Sequence, residues 1–109
     1  MTGRASPMPA RKPVRVPDEI VSLIRNLHPD LKRKVRGGFD AIVENPETGK
    51  VLRDDLEGLR SFRVGRFRII YRVGRDLVEI VAVGPRRVIY QETLRRLQQE
   101  KAERERPEE

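Results

Sequence analysis

The chain has 109 residues, 37% of them hydrophobic and 38% charged, and its net charge is +7. That length predicts one domain with a modest core and no second domain. There is no cysteine, which excludes a disulfide framework, a thiolate metal site and a cysteine nucleophile. No apolar run approaches the roughly 18 to 20 residues that cross a bilayer, and no signal-peptide core follows Met1, so a cytoplasmic protein is expected.

Residues 1–13 hold three prolines and three positive charges without periodicity, and are expected to form a flexible basic arm. Val14-Arg15-Val16 suits a short strand, which Pro13 and Pro17 confine to a sheet edge or a brief pairing. Pro17-Asp18-Glu19 then opens a helix, with proline and acids in the first turn as the helix dipole favours. Ile20, Leu23, Ile24 and Leu27 make one apolar stripe along it. His28-Pro29-Asp30 interrupts and restarts the pattern, because proline disfavours helical geometry in the residue before it. At that junction His28 is expected to be a capping or exposed residue.

Leu31, Val35, Phe39, Ile42 and Val43 continue on one face until Asn45-Pro46 stops the second helix. Gly37-Gly38 inside it costs about 1 kcal/mol per glycine relative to alanine, so the helix either kinks there or approaches another backbone closely. Lys32, Arg33, Lys34 and Arg36 suit a solvated face, with a second nucleic-acid contact as the alternative. Residues 46–50 read as a loop, and residues 52–59 as an acidic connection anchored by Leu52, Leu56 and Leu59. Asp54, Asp55 and Glu57 lack the histidine or further well-spaced carboxylates of a metal site, and no metal or cofactor is expected.

Residues 60–90 carry the most informative pattern. Phe62, Val64, Phe67, Ile69, Tyr71 and Val73 alternate with Arg63, Arg66, Arg68 and Arg72, predicting a sheet with one buried face and one charged face. Gly65-Arg66 and Gly74-Arg75-Asp76 sit where hairpin turns need a residue that tolerates positive φ. This stretch has 8 arginines against 2 acids, and residues 1–17 add four cations and no acid. Guanidinium binds phosphate oxygens bidentately and keeps its proton, so charge focused in this way suits a polyanion, nucleic acid above all. A sheet merely kept soluble by arginine is the plainer alternative. After it, residues 91–100 should be helical with Leu94 and Leu97 as anchors, and residues 101–109 form a charged tail expected to fray. The order strand, helix, helix, three antiparallel strands, helix describes an α+β domain with its helical hairpin, and its helices generally, on one face of a small sheet.

Two phrases in this stretch resemble the RelE/ParE superfamily of toxins from bacterial type II toxin–antitoxin pairs. Residues 62–71, FRVGRFRIIY, resemble the family's hairpin, an Arg-Val-Gly turn followed by aromatic-Arg-aliphatic-aliphatic-Tyr. Residues 83–90, VGPRRVIY, resemble its closing segment, Gly-x-Arg with a tyrosine four residues later. With the preceding helical hairpin, the resemblance covers roughly residues 14–97. It implies a RelE-like domain over residues 14–100, acting without metal or small-molecule cofactor and away from membranes. The implied activity is mRNA cleavage in the ribosomal A site, restrained by a cognate antitoxin. By position, Arg63 matches the basic residue before the hairpin turn and Arg68 the arginine of the next strand. Arg86 matches the arginine after the Gly84 turn, and Tyr90 the tyrosine near the last helix. Arg60, Arg66, Arg72 and Arg87 are the accompanying candidates for RNA contact. Ser61 departs from the pattern, standing where RelE-type nucleases commonly carry a second basic residue. Arg60 is adjacent but should point to the opposite face. A gyrase-inhibiting ParE type without nuclease activity, or a degenerate toxin that only binds antitoxin, are the alternatives.

Metal-free RNA cleavage needs a base for the 2′ proton, positive charge on the pentacoordinate phosphorane and an acid for the departing 5′ oxygen. Permanently charged Arg63, Arg68 and Arg86 suit clamping, and Tyr90 is the candidate proton carrier, brought to Arg86 if the segment is helical. The alternative for Tyr90 is an aromatic that closes the helix–sheet seam. All these readings predict an apolar groove beside the weakly anchored last helix, open to an antitoxin segment.

Overall fold

A computed structural model describes residues 12–104 of the chain. Most of the predicted arm and the last five residues of the predicted tail lie outside the described residues. In chain order the elements are β1 (Val14–Arg15), α1 (Asp18–Arg25), α2 (Pro29–Glu44), β2 (Lys50–Val51), β3 (Arg60–Val64), β4 (Phe67–Val73), β5 (Val78–Pro85) and α3 (Arg86–Arg104). The strands form one sheet in the order β1-β5-β4-β3-β2. The α+β architecture is as expected, with two refinements. The β1–β5 pairing is parallel, not antiparallel, and β2 adds a fifth strand at the end of the predicted loop, paired with β3. Lys12 and Pro13, assigned to the arm, belong to this edge. The Lys12 ammonium donates to the Gly74 carbonyl at 2.8 Å and the Val78 N–H to the Pro13 carbonyl at 2.9 Å.

The helical hairpin forms for the expected reasons. Pro29 occupies the first position of α2, and the His28 imidazole accepts from the Asp30 N–H at 3.2 Å. Ile20, Ile24, Val35 and Ile42 are buried with Ile69, Tyr71, Val78, Ile80 and Val83 of the sheet. The helix does not break at its glycine pair; Gly38 is the point where α2 approaches the sheet. A Cβ there would stand 2.8 Å from Ile69 Cδ1 and 2.9 Å from Val64 Cγ2, whereas one at Gly37 would meet nothing within 4 Å. Only Gly38 serves packing.

The predicted charged face needs correction. Ile69, Ile70 and Tyr71 are consecutive on β4 and all fully buried, so the strand is covered on both sides. Ile70, Val81, Ala82 and Leu59 form a second cluster with Ile89 of α3, joined by Leu52, Leu56, Tyr90 and Leu97. Helices therefore lie on both faces. A bulge lets β5 feed both clusters: Tyr71 pairs with Ile80 and Ile70 with Ala82, leaving Val81 as the extra residue. The last helix begins at Arg86, five residues before its expected start, and runs to Arg104. Its buried contacts are Ile89 and Thr93, with Leu97 beside them. Of the two predicted hairpin glycines, Gly65 takes φ 59°, and Gly74 stays outside the left-handed region while donating to the Leu77 carbonyl at 2.8 Å. No helix among the described residues is long and apolar enough to cross a membrane.

Candidate functional site

The β3–β4 hairpin and the start of α3 make one end of the sheet. Arg63 and Arg68 face each other across the ladder, and Arg68 in turn faces Gly84 on β5. The Arg86 N–H donates to the Arg66 carbonyl at 3.2 Å, which ties the helix start to the hairpin turn. The result is a cleft of about 320 Å³ lined by Arg63, Gly65, Arg66, Arg68, Pro85, Arg86 and Arg87. Arg68, half-buried, is its floor; the other four arginines are exposed around it. A side chain at Gly84 would crowd Ile89, with its Cβ 3.2 Å from Ile89 Cδ1.

What distinguishes this cleft is the gathering of five guanidinium groups in one place, since Arg25, Arg36, Arg53, Arg75 and Arg104 also lack a carboxylate among the described residues but are not part of it. Arg63 donates to the Gly65 carbonyl at 3.3 Å, yet none of the five cleft arginines pairs with a carboxylate among the described residues. Elsewhere Arg15 and Arg72 share Glu79, Arg33 meets Asp30, Arg95 meets Glu92 and Arg96 meets Glu19. Moreover, α3 opens on two arginines with no acid in its first turn, the reverse of what its dipole favours. Local stability would remove these charges. A bound polyanion would use them.

Tyr90 sits one turn after Arg86 on α3, as the sequence anticipated. Its ring joins the second core cluster while its hydroxyl reaches back to β3, 3.3 Å from the Ser61 hydroxyl. The Arg68 guanidinium donates to the same Ser61 oxygen at 3.5 Å. Tyr90 thus closes the helix–sheet seam with its hydroxyl on Ser61; it is not among the residues that line the arginine cleft, and lines a neighbouring depression with Leu56, Gln91 and Leu94. Ser61, read from the sequence as a gap, joins Arg68 to Tyr90. The signal for it was period-2 alternation, which puts Ser61 on the face of Arg63.

The family model described as "ParE toxin of type II toxin-antitoxin system, parDE" matches residues 15–90. The chain belongs to the RelE/ParE superfamily of toxins.

Toxin RelE of Mycobacterium tuberculosis is 42% identical over 55 residues, which cover 48% of this toxin and 57% of that relative. The match therefore spans little more than half of the relative's length. The RelBE2 toxin–antitoxin complex of M. tuberculosis contains a chain that superposes with TM-score 0.62 at 28% identity, covering 71% of this toxin and all of that chain. A mutant of E. coli toxin RelE in the free state gives TM-score 0.64 at 18% identity, covering 81% and 99%, and shows the shared fold.

Two of the toxin's predicted RNA-contact residues lie outside the cleft. Arg60 pairs with Val51 and Tyr71 at the opposite end of β3, and its guanidinium donates to the carbonyls of Gly49 at 2.9 Å and Glu47 at 3.2 Å. It holds the loop before β2 and does not take the place of a base at Ser61. Arg72 is bound to Glu79 at 2.6 Å near the parallel edge. Both lie at the end of their strands remote from the β3–β4 turn, so alternation alone could not exclude them. Arg63, Arg66, Arg68, Arg86 and Arg87 are the ones that converge.

Proposed function

We propose that this toxin cuts mRNA on the ribosome and is neutralised by a cognate antitoxin. The observation that carries this reading is the convergence of Arg63, Arg68 and Arg86, without a carboxylate partner among the described residues, with Tyr90 linked to Arg68 through Ser61. In the reaction the substrate's 2′-OH gives its proton to a base and its oxygen bonds to the adjacent phosphorus. The P–O5′ bond then breaks as the departing oxygen takes up a proton, leaving a 2′,3′-cyclic phosphate and a 5′-OH. Arg63, Arg68 and Arg86 clamp the non-bridging oxygens as charge develops on them, and Tyr90 carries a proton. Arg66 and Arg87 at the rim hold neighbouring phosphates. Nothing in this arrangement orients the 2′ oxygen in line, a task the ribosome performs by holding the codon.

An antitoxin partner is supported by the toxin–antitoxin complexes among the similar structures. Two depressions along α3 could receive it, one with exposed Val88 beside Gln91, Glu92 and Arg95, the other with Leu56, Tyr90 and Leu94 beside Arg53, Asp54 and Asp55. Gyrase inhibition is the second reading, favoured by the parDE description of the matching family. Transcript 5′ ends are mapped after induction with and without the antitoxin gene. Breaks at fixed codon positions, lost on antitoxin co-expression, are expected. Growth arrest without such breaks would transfer the function to gyrase.

A further inference from the structure

Ser61 is 2% exposed, on a strand flanked by β2 and β4, with the Tyr90 hydroxyl against it. Among the described residues no carboxylate pairs with the Arg68 cation beside it, so a lysine at this depth would bring a further charge without a partner there. A serine hydroxyl brings one donor and two acceptor lone pairs. The Arg68 guanidinium, which only donates, occupies a lone pair at 3.5 Å. The single Ser61 proton is then available to the Tyr90 oxygen at 3.3 Å, which leaves the phenol's own proton free for another acceptor.

We propose that Ser61 is the positioning residue of the cleft: it orients the Tyr90 hydroxyl and passes to it the influence of the Arg68 charge. The idea rests on the nuclease reading above. A hydrogen-bond donor held against the phenol oxygen fixes the orientation of the phenol's own proton, and the neutral hydroxyl does so without burying another cation. Ser61 itself touches no substrate. The basic residue expected at this position is replaced here by a two-step contact from Arg68.

Single-turnover cleavage on ribosomes carrying a defined mRNA tests this, using wild type, Ser61→Ala, Tyr90→Phe and the double variant. Thermal melts check that each is folded. Ser61→Ala is expected to slow cleavage about tenfold at saturating ribosome, the scale of one lost hydrogen bond, with the half-saturating concentration unchanged. In the Tyr90→Phe background the same substitution should have no further effect, because its route to the chemistry is gone. Wild-type rates in a folded Ser61→Ala would overturn the proposal. So would an equal fractional loss in both backgrounds, which marks a purely structural role. A wild type that never cleaves would instead remove the nuclease reading, and Ser61's role with it.

Discussion

Arg63 of β3 and Arg68 of β4 stand directly opposite each other, and neither has a carboxylate partner among the described residues. Like charges in that relationship destabilise a sheet by roughly 0.2–1 kcal/mol. The fold tolerates the repulsion at the one end of the sheet where α3 leaves the face open. Stability and function therefore pull in opposite directions at this pair.

Arg68→Ala should lose growth arrest and slow cleavage by on the order of a hundredfold or more, as removal of a charge-stabilising donor does. Its melting temperature should equal or slightly exceed that of wild type, since a repulsion is relieved. Arg72→Ala should do the reverse. It breaks the partly exposed pair with Glu79, costs no more than about 1 kcal/mol after solvent screening, and leaves growth arrest intact. Melting curves beside a toxicity assay check both; loss of toxicity in Arg72→Ala would enlarge the site beyond the cleft.

Binding of a short single-stranded RNA with 2′-deoxy substitution at the cleaved position should depend steeply on salt. Five guanidinium groups line the cleft, and each phosphate neutralised contributes about −0.7 to the slope of log affinity against log salt. A total of about −3.5, reduced in magnitude by roughly 0.7 in Arg87→Ala, is expected from fluorescence anisotropy at several salt concentrations. A flat dependence would mean that the arginines are not engaged with phosphate.

The two adjacent glycines of α2 should respond oppositely to alanine. At Gly37 a methyl meets open space on a helix, so Gly37→Ala should stabilise by about 1 kcal/mol. At Gly38 the methyl would press on Ile69 and Val64, so either those buried side chains or the helix must shift, a loss of roughly 1–3 kcal/mol. Urea unfolding of the two variants measures the contrast.

Tyr71 predicts a pH dependence of stability. Its hydroxyl donates to the Pro46 carbonyl at 2.6 Å and accepts from the Gly49 N–H at 2.8 Å, closing the loop before β2. Burial pushes its pKa up, against opposing contributions from the Gly49 hydrogen bond and the Arg60 charge. Above the unfolded phenol's value near 10, the unfolded chain then holds fewer protons than the native one, so stability falls as pH rises. The contribution is complete below pH 10 and lost above it. Tyr71→Phe should be less stable at neutral pH, leaving the Gly49 N–H without its acceptor, but should decline less steeply in urea unfolding between about pH 9 and 11.

Much of this fold is legible from local pattern. Period-2 alternation puts Ser61, Arg63 and Arg68 on one face, the apolar stripes of α1 and α2 build the other side of the core, and Gly65 turns the hairpin. Such signals are local because backbone geometry repeats every few residues. Contacts between residues far apart decided the rest. Alternation assigns a face but not a position along it, so only the path of α3 determines that Ile70 is covered while Arg68 stays open. Likewise Glu79 captures Arg72, and the carbonyls of Glu47 and Gly49 capture Arg60. The serine that looked like a missing charge became a link between Arg68 and Tyr90 because a helix starting at Arg86 brings a phenol down onto β3.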